Sequence, residues 1–186
     1  IEHLADEEHR IVRLFTPPFK DTVKEPGYIK SYPPGVRENG GQYTHAATWF
    51  VLALAQLGSA DEAWRYFSWL NPVNHALDPD QSERYRVEPY VVAADIYSQG
   101  DKAGRGGWTW YTGSAGWLYR AGIEGILGIR RKGRTITVDP AIPSEWEGFS
   151  ATLRMGGATH LVRVERAAGL KQAETLVDGK TTRGGS

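Results

Sequence analysis

The sequence has no cysteine and a single methionine among 186 residues. The first absence removes disulfide frameworks, thiol nucleophiles and thiolate metal sites together. Net charge is also missing: 22 Lys plus Arg balance 22 Asp plus Glu. No overall field therefore draws the chain to nucleic acid or to an anionic membrane, and nucleic acid is not an expected partner. No apolar run approaches the roughly 18 residues that a membrane span needs. The charged segment Ile1–Arg10 shows no signal-peptide pattern. His3, His9, His45, His75 and His160 fall into neither an HxH nor an HExxH spacing, so no metal site is expected. A GxSxG nucleophile elbow and a nucleotide P-loop are absent as well.

What is present is a chain with 40% hydrophobic residues, long enough for one sizeable core or for a core with a small satellite. Seven Trp, nine Tyr and 22 Gly suit either a packed core or a sugar site. In the second case, ring faces would meet the axial C–H groups of a pyranose.

Periodicity divides the chain near Gly128. Up to that point the signals are helical. Ile11, Leu14 and Phe15 recur at helical spacing, which predicts a first helix over Glu7–Phe15, stopped by Pro17 and Pro18. Phe19–Gly41, rich in Pro and Gly, reads as a long loop with definite turns. A helix is expected over Gln42–Leu57, with Ala47, Phe50, Val51, Leu54 and Ala55 buried. Ser59 is its successor's N-cap, and that helix runs over Ala60–Leu70 with Ala63, Trp64, Phe67 and Leu70 inward. Glu88–Tyr97 reads as a short helix behind Pro89. Thr112–Leu127 reads as a longer one whose Ala115, Gly116, Gly122 and Gly125 permit close packing.

Beyond Gly128 the period becomes two, with strands expected over Arg134–Val138, Ala151–Met155 and His160–Val164. Asp178-Gly179 marks a hairpin turn, and Thr181–Ser186 is too polar and glycine-rich to be expected in an ordered element. The fold class is thus mainly α with a C-terminal β region. Paired helices joined by long aromatic loops fit part of an (α/α)6 barrel over residues 1–128, followed by short antiparallel strands over residues 129–186.

Chemistry concentrates in two places. Arg37-Glu38-Asn39-Gly40-Gly41-Gln42-Tyr43-Thr44-His45 sets a carboxylate, two amides, two glycines and an imidazole at the mouth of a predicted helix. Free N–H groups there favour an anion, and His45 could donate to a phosphate or a sugar hydroxyl. A lone histidine in a helix more often serves structure, so both roles stand on residues alone. The second place is Gly104–Gly116, where Thr112 and Gly113 open the long helix and repeat the anion logic. Trp108, Trp110 and Tyr111 would either face a sugar or anchor the loop. Glu88 is explained by a capping role at its predicted helix.

Three strings carry a family resemblance: GYIKSYPPGVRENGGQYTHAATW (Gly27–Trp49), RYRVEPYVVAADIY (Arg84–Tyr97) and GGWTWYTGSAGWLYRAGIEGILGIR (Gly106–Arg130). In this order they resemble the C-terminal part of glycoside hydrolase family 94, and VDPAIPSEWEGF (Val138–Phe149) is similar to the family's following β segment. The wording GYIK, PPG and RENGGQYTHAA most resembles the cyclic β-1,2-glucan synthases and β-1,2-oligoglucan phosphorylases of that family.

The resemblance implies an inverting phosphorylase in an (α/α)6 barrel. Inorganic phosphate is the co-substrate, no cofactor is needed, and the product is α-glucose 1-phosphate. It implies phosphate contacts at His45, Thr112 and Gly113 and a place for Glu38 in the sugar subsites; Asn39, Gln42 and Trp110, from the same two strings, are expected to bind substrate with it. A family Gln in cellobiose- and chitobiose-type members is replaced by Ala94, which turns the expectation away from cellobiose. The family's general acid is an Asp in a Gly-Asp-Trp-Asn-type motif that does not occur here, so no catalytic acid is assigned to this chain. The expectation is a fragment inactive alone, whose partners are a β-glucan oligosaccharide, phosphate and the enzyme's N-terminal half; an oligomer is compatible with it. The alternative is a noncatalytic carbohydrate-binding or chain-length-controlling domain of a β-1,2-glucan synthase.

Overall fold

The computed structural model describes residues 2–168 and 174–182. Its first element is a small hairpin, β1 (Ala5–Asp6) against β2 (Ile11–Val12). This corrects the helix expected over Glu7–Phe15. Asp6 accepts from the His9 N–H at 3.1 Å and pairs with Arg13, so a side chain bonding to its own turn competes with the helix. The adjacent β-branched Ile11 and Val12 are both buried, and Val12 N–H donates to Gln42 Oε1 at 2.9 Å.

The Phe19–Gly41 loop contains a 3-10 turn at Gly27–Ser31. Gln42 and Tyr43 then form β3 rather than the first turn of a helix. Helix α1 (Thr44–Gln56) follows, with Ala47, Val51, Leu54 and Ala55 buried as expected and Phe50 half-buried. Helix α2 (Ala60–Leu70) has the expected bounds, although Ser59 makes no side-chain capping bond. Its inward face is rotated from the expected one. Ala63, Tyr66, Trp69 and Leu70 are buried, while Trp64 and Phe67 are half-buried. Tyr66 packs on Phe50 at 5.1 Å and edge-on to Trp69 at 5.0 Å.

The segment after α2 holds an unforeseen helix, α3 (Pro79–Tyr85). Asp78 accepts from Gln81 N–H at 2.9 Å and Pro79 occupies the first turn, a capped start with too few apolar residues to give a periodic signal. Arg86, at φ 54, ends it. The helix expected over Glu88–Tyr97 is absent. Asp95–Ile96 form β4, antiparallel to β3, with Gln42 opposite Ile96 and Tyr43 opposite Asp95. The backbone partners that Gln42 and Tyr43 offer outweigh a weak local helical preference. Ile11, Tyr85, Ala93 and Ile96 form one core cluster beside this ladder.

Helix α4 (Thr112–Arg120) continues into a π turn at Ala121–Ile126. Gly122 and Gly125 are where neighbours approach: a Cβ would meet Phe67 at 3.3 Å and Leu52 at 3.1 Å respectively, whereas Gly116 faces open space. A hairpin of β5 (Ile129–Lys132) and β6 (Thr135–Val138) closes the first compact unit, Ile1–Ser144.

The second unit, Glu145–Ser186, contains the hairpin β7 (Gly148–Met155) and β8 (Ala158–Glu165). Gly156 and Gly157 at positive φ turn it. β9 (Thr175–Val177) and β10 (Lys180–Thr182) pair across Asp178-Gly179 as expected. Of the polar tail, Thr181 and Thr182 belong to β10, and residues 183–186 lie outside the described residues.

One buried base governs an expected pH response of this fold. His75 stacks on Tyr85 at 4.6 Å and approaches the Trp69 carbonyl at 2.5 Å. Burial holds it below its ordinary 6.5, while the Trp69 bond works in the opposite direction. The unfolded chain therefore binds the proton first. Stability is full above about pH 6.5 and is lost as the pH falls toward the folded value. Thermal melts between pH 7.5 and 5 should show this loss, and His75→Phe should flatten it; an unchanged slope in the variant would assign the loss to other groups.

Candidate functional site

Two helices begin with related words, Tyr43-Thr44-His45 at α1 and Tyr111-Thr112-Gly113 at α4. Both tyrosines are extended N-caps at φ −89 and −81; neither makes a side-chain cap, and neither helix has an acid in its first turn. First-turn amides lack intrahelical partners and carry the positive end of the helix dipole. At α1 the Thr44 N–H is already taken by the Ala94 carbonyl at 2.9 Å, so the preference for an anion rests on the remaining first-turn amides and on the start of α4.

Packing of α1 on α4 brings these ends together. A Cβ placed on Gly113 would lie 3.5 Å from His45 Nδ1 and 3.6 Å from its Cε1. The imidazole edge therefore borders the start of α4. Its orientation is set by aromatic neighbours: Tyr43 stacks at 6.2 Å, Trp49 meets it edge-on at 5.3 Å and Trp117 lies at 5.8 Å. His45 is half-buried, whereas Thr112 and Gly113 are exposed. An accessible hydroxyl and an imidazole meet there beside the first-turn amides of α4, donors of the kind that a tetrahedral oxyanion takes.

The Arg37–Gly41 turn beside this point has two kinds of residue. Asn39 has no exposed surface; its side chain accepts from Phe19 N–H at 2.7 Å and donates to the Phe19 and Tyr32 carbonyls at 2.9 and 2.7 Å. Gln42 is equally buried and joins Val12 to Thr44. Both amides tie the loop rather than present themselves at its surface. Glu38 differs. The residue is half-buried, and its Oε2 is buried with no hydrogen-bond partner among the described residues, an unsatisfied acceptor.

Trp110 adopts φ 64 and is 67% exposed. Left-handed backbone costs a non-glycine residue about 1 kcal/mol. Here it lets the indole N–H donate to Glu88 Oε1 at 3.2 Å with Tyr90 at 6.4 Å. Glu88 is therefore a partner of Trp110 and caps no helix. With Trp108 and Tyr111, also exposed, these rings make an aromatic surface beside the two helix starts, the chemistry that receives sugar faces.

Sequence reasoning missed Asp95, which is fully buried. Its Oδ1 accepts from Trp108 N–H at 3.0 Å and faces Arg37 Nε at 3.8 Å. Burial raises its pKa, and the Trp108 bond and Arg37 charge oppose the rise. Burial also pulls on Arg37, but Tyr111 and Asp95 outweigh it and hold the guanidinium above its ordinary value. The available signal was a charge inside the apolar run Val91-Val92-Ala93-Ala94-Asp95-Ile96. A cavity of about 160 Å³ borders Tyr43 and Ala46 together with Leu4, Val12, Leu14 and Phe50; its mostly apolar lining does not suit an anion.

Residues 1–128 match the model of the glycosyl hydrolase 94 superfamily, catalytic domain. The chain belongs to that superfamily. Similar glycosyl hydrolase 94 relatives include the cyclic β-(1,2)-glucan synthase NdvB of Rhizobium meliloti (strain 1021), 65% identical over 174 residues, which are 94% of this chain and 6% of the relative. The N,N'-diacetylchitobiose phosphorylase of Vibrio furnissii is 34% identical over 91% of this chain and 21% of its own length. The 1,2-β-oligoglucan phosphorylase of Listeria innocua serovar 6a is 29% identical over 64% of this chain and 12% of its own. This glycosyl hydrolase 94 chain thus spans about a fifth or less of these relatives.

Proposed function

We propose that this chain supplies the phosphate subsite and part of the sugar surface of an inverting phosphorylase-type enzyme acting on β-1,2-glucan. The supporting observation is the approach of His45, in the first turn of α1, to Gly113, in the first turn of α4. Phosphate sits between His45, Thr112 and Gly113, with Glu38 accepting a sugar hydroxyl and Trp110 offering its ring. Asn39 and Gln42 hold the loop that carries Glu38. Phosphate attacks the anomeric carbon as the glycosidic bond breaks on the opposite face, giving α-glucose 1-phosphate and a shortened glucan; the reverse extends it. In such a step phosphate replaces the water and base of an inverting hydrolase, and a general acid protonates the departing oxygen. That acid lies outside this chain. The helices form part of an (α/α)6 toroid completed by preceding polypeptide.

A second reading, a chain-length-controlling or purely sugar-binding domain of a glucan synthase, has the 65% identity to such a synthase in its favour. NMR titrations of the chain with inorganic phosphate, and with β-1,2-glucooligosaccharide and cellobiose, separate the two. The phosphorylase reading expects phosphate-dependent shifts at His45, Thr112 and Gly113, and tighter glucan binding with phosphate present. Glucan binding indifferent to phosphate would favour the binding domain.

A further inference from the structure

We propose that Asp95 is a positioning residue for this site: its carboxylate couples Arg37 to the Trp108–Tyr111 segment and thereby sets the gap between His45 and the Thr112–Gly113 turn. The inference rests on the phosphate reading above.

The two walls of the site come from separate stretches of chain, and Asp95 touches both. On one side, its backbone pairs with Tyr43, two residues before His45, and the neighbouring Ala94 carbonyl accepts from Thr44 N–H at 2.9 Å. On the other, the Asp95 carbonyl accepts from Gly107 N–H at 2.8 Å and Oδ1 accepts from Trp108 N–H at 3.0 Å. The approach is close enough to require glycine, because a Cβ on Gly107 would lie 2.5 Å from both carboxylate oxygens.

Arg37 extends the coupling toward α4. Its guanidinium lies 4.1 Å over the Trp108 ring and 5.7 Å from the rings of Tyr111 and Tyr32. Tyr111 directly precedes Thr112. The charge on Asp95, 3.8 Å from Arg37 Nε, holds that cation over the rings, and buried charge pairs of this kind orient strongly because little solvent screens them.

The pair is only partly satisfied: Trp108 N–H holds Asp95 Oδ1, and Tyr111 and Tyr32 bond the Arg37 guanidinium. Asp95 Oδ2, Arg37 Nε and Glu38 Oε2 are all buried and without hydrogen-bond partners among the described residues. A pair serving stability alone would be expected to satisfy these atoms, since unsatisfied buried charges cost more than they return. Asn at position 95 could still accept from Trp108 N–H, so the exchange removes the charge and retains most of the shape.

The test is an NMR titration of inorganic phosphate into the chain and its Asp95→Asn, Arg37→Gln, Asp95→Asn/Arg37→Gln and His45→Phe variants, with glucooligosaccharide affinity and melting temperature as parallel readouts. Asp95→Asn is expected to weaken phosphate binding about tenfold, with melting and glucan affinity changed far less. Arg37→Gln should do the same, and the double variant no more than either, as coupled residues do. If Asp95→Asn does not fold, Arg37→Gln decides on the same readouts. Unchanged phosphate affinity in the folded variants, with binding lost in His45→Phe, would overturn the role of Asp95 and leave the phosphate site standing. Equal losses for phosphate and glucan, in step with melting, would also overturn it by making Asp95 merely structural. Phosphate affinity unaffected by His45→Phe would remove the phosphate reading and this inference together.

Discussion

Gly128→Ala is expected to destabilise the fold by about 4 kcal/mol or more, at the far end of what single substitutions do. Gly128 stands at φ +64, where the helical segment gives way to β5, and a Cβ there would lie 1.8 Å from the Asp139 carbonyl oxygen and 2.1 Å from its carbon. The chain cannot move apart cheaply. Asp139 N–H donates to the Gly128 carbonyl at 3.0 Å, and Ala141 N–H to that of Ile126 at 3.0 Å, so relieving the overlap breaks the seam joining the π turn to the segment after β6. Gly133 is the internal comparison: its φ is +60, yet nothing lies within 4 Å. Gly133→Ala should cost only the left-handed penalty, about 1 kcal/mol. Thermal melts of the two variants separate the terms. A fall of about 10 °C or more is expected for Gly128→Ala, against a few degrees for Gly133→Ala. Equal small shifts would mean that the seam yields.

His45→Phe is expected to keep the fold and to weaken phosphate binding about tenfold to a hundredfold, the range for losing a hydrogen bond to a charged group. Phenylalanine retains a flat ring among Tyr43, Trp49 and Trp117, which surround the imidazole at 6.2, 5.3 and 5.8 Å, and removes only its nitrogens. The substitution therefore tests the two roles that residue identity alone leaves open. A histidine serving as a ring anchor predicts unchanged phosphate affinity, while a donor beside the α4 N-terminus predicts its loss. A melting temperature close to wild type, measured on the same sample, keeps the comparison clean.

The helical part of the fold is legible in sequence wherever one face is apolar over three turns. This holds for α1, α2 and the Thr112–Ile126 segment. The failures have a common cause. Ile11-Val12 and Asp95-Ile96 are two-residue strands whose conformation depends on partners distant in sequence, Val12 N–H on Gln42 and Asp95 on Tyr43, so no local period reports them. α3 escapes for the opposite reason: its signal is the Asp78-Pro79 start, and its polar body has none.

In the site, the two helix starts are visible as words, Tyr-Thr-His and Tyr-Thr-Gly, but only packing shows that the His45 ring borders Gly113. Composition likewise cannot distinguish Asn39 and Gln42, whose amides bond within the loop, from Glu38, which retains an unpartnered oxygen among the described residues.

The most direct measurement is release of glucose 1-phosphate from β-1,2-glucooligosaccharide and inorganic phosphate, by this chain alone and by the chain co-expressed with the preceding segment of the Rhizobium meliloti relative. The expected result is release only in the pair, dependent on phosphate and strongly reduced by His45→Phe. Release by the chain alone would contradict a general acid outside it. A folded pair that binds glucan yet releases no glucose 1-phosphate would contradict the phosphorylase reading itself.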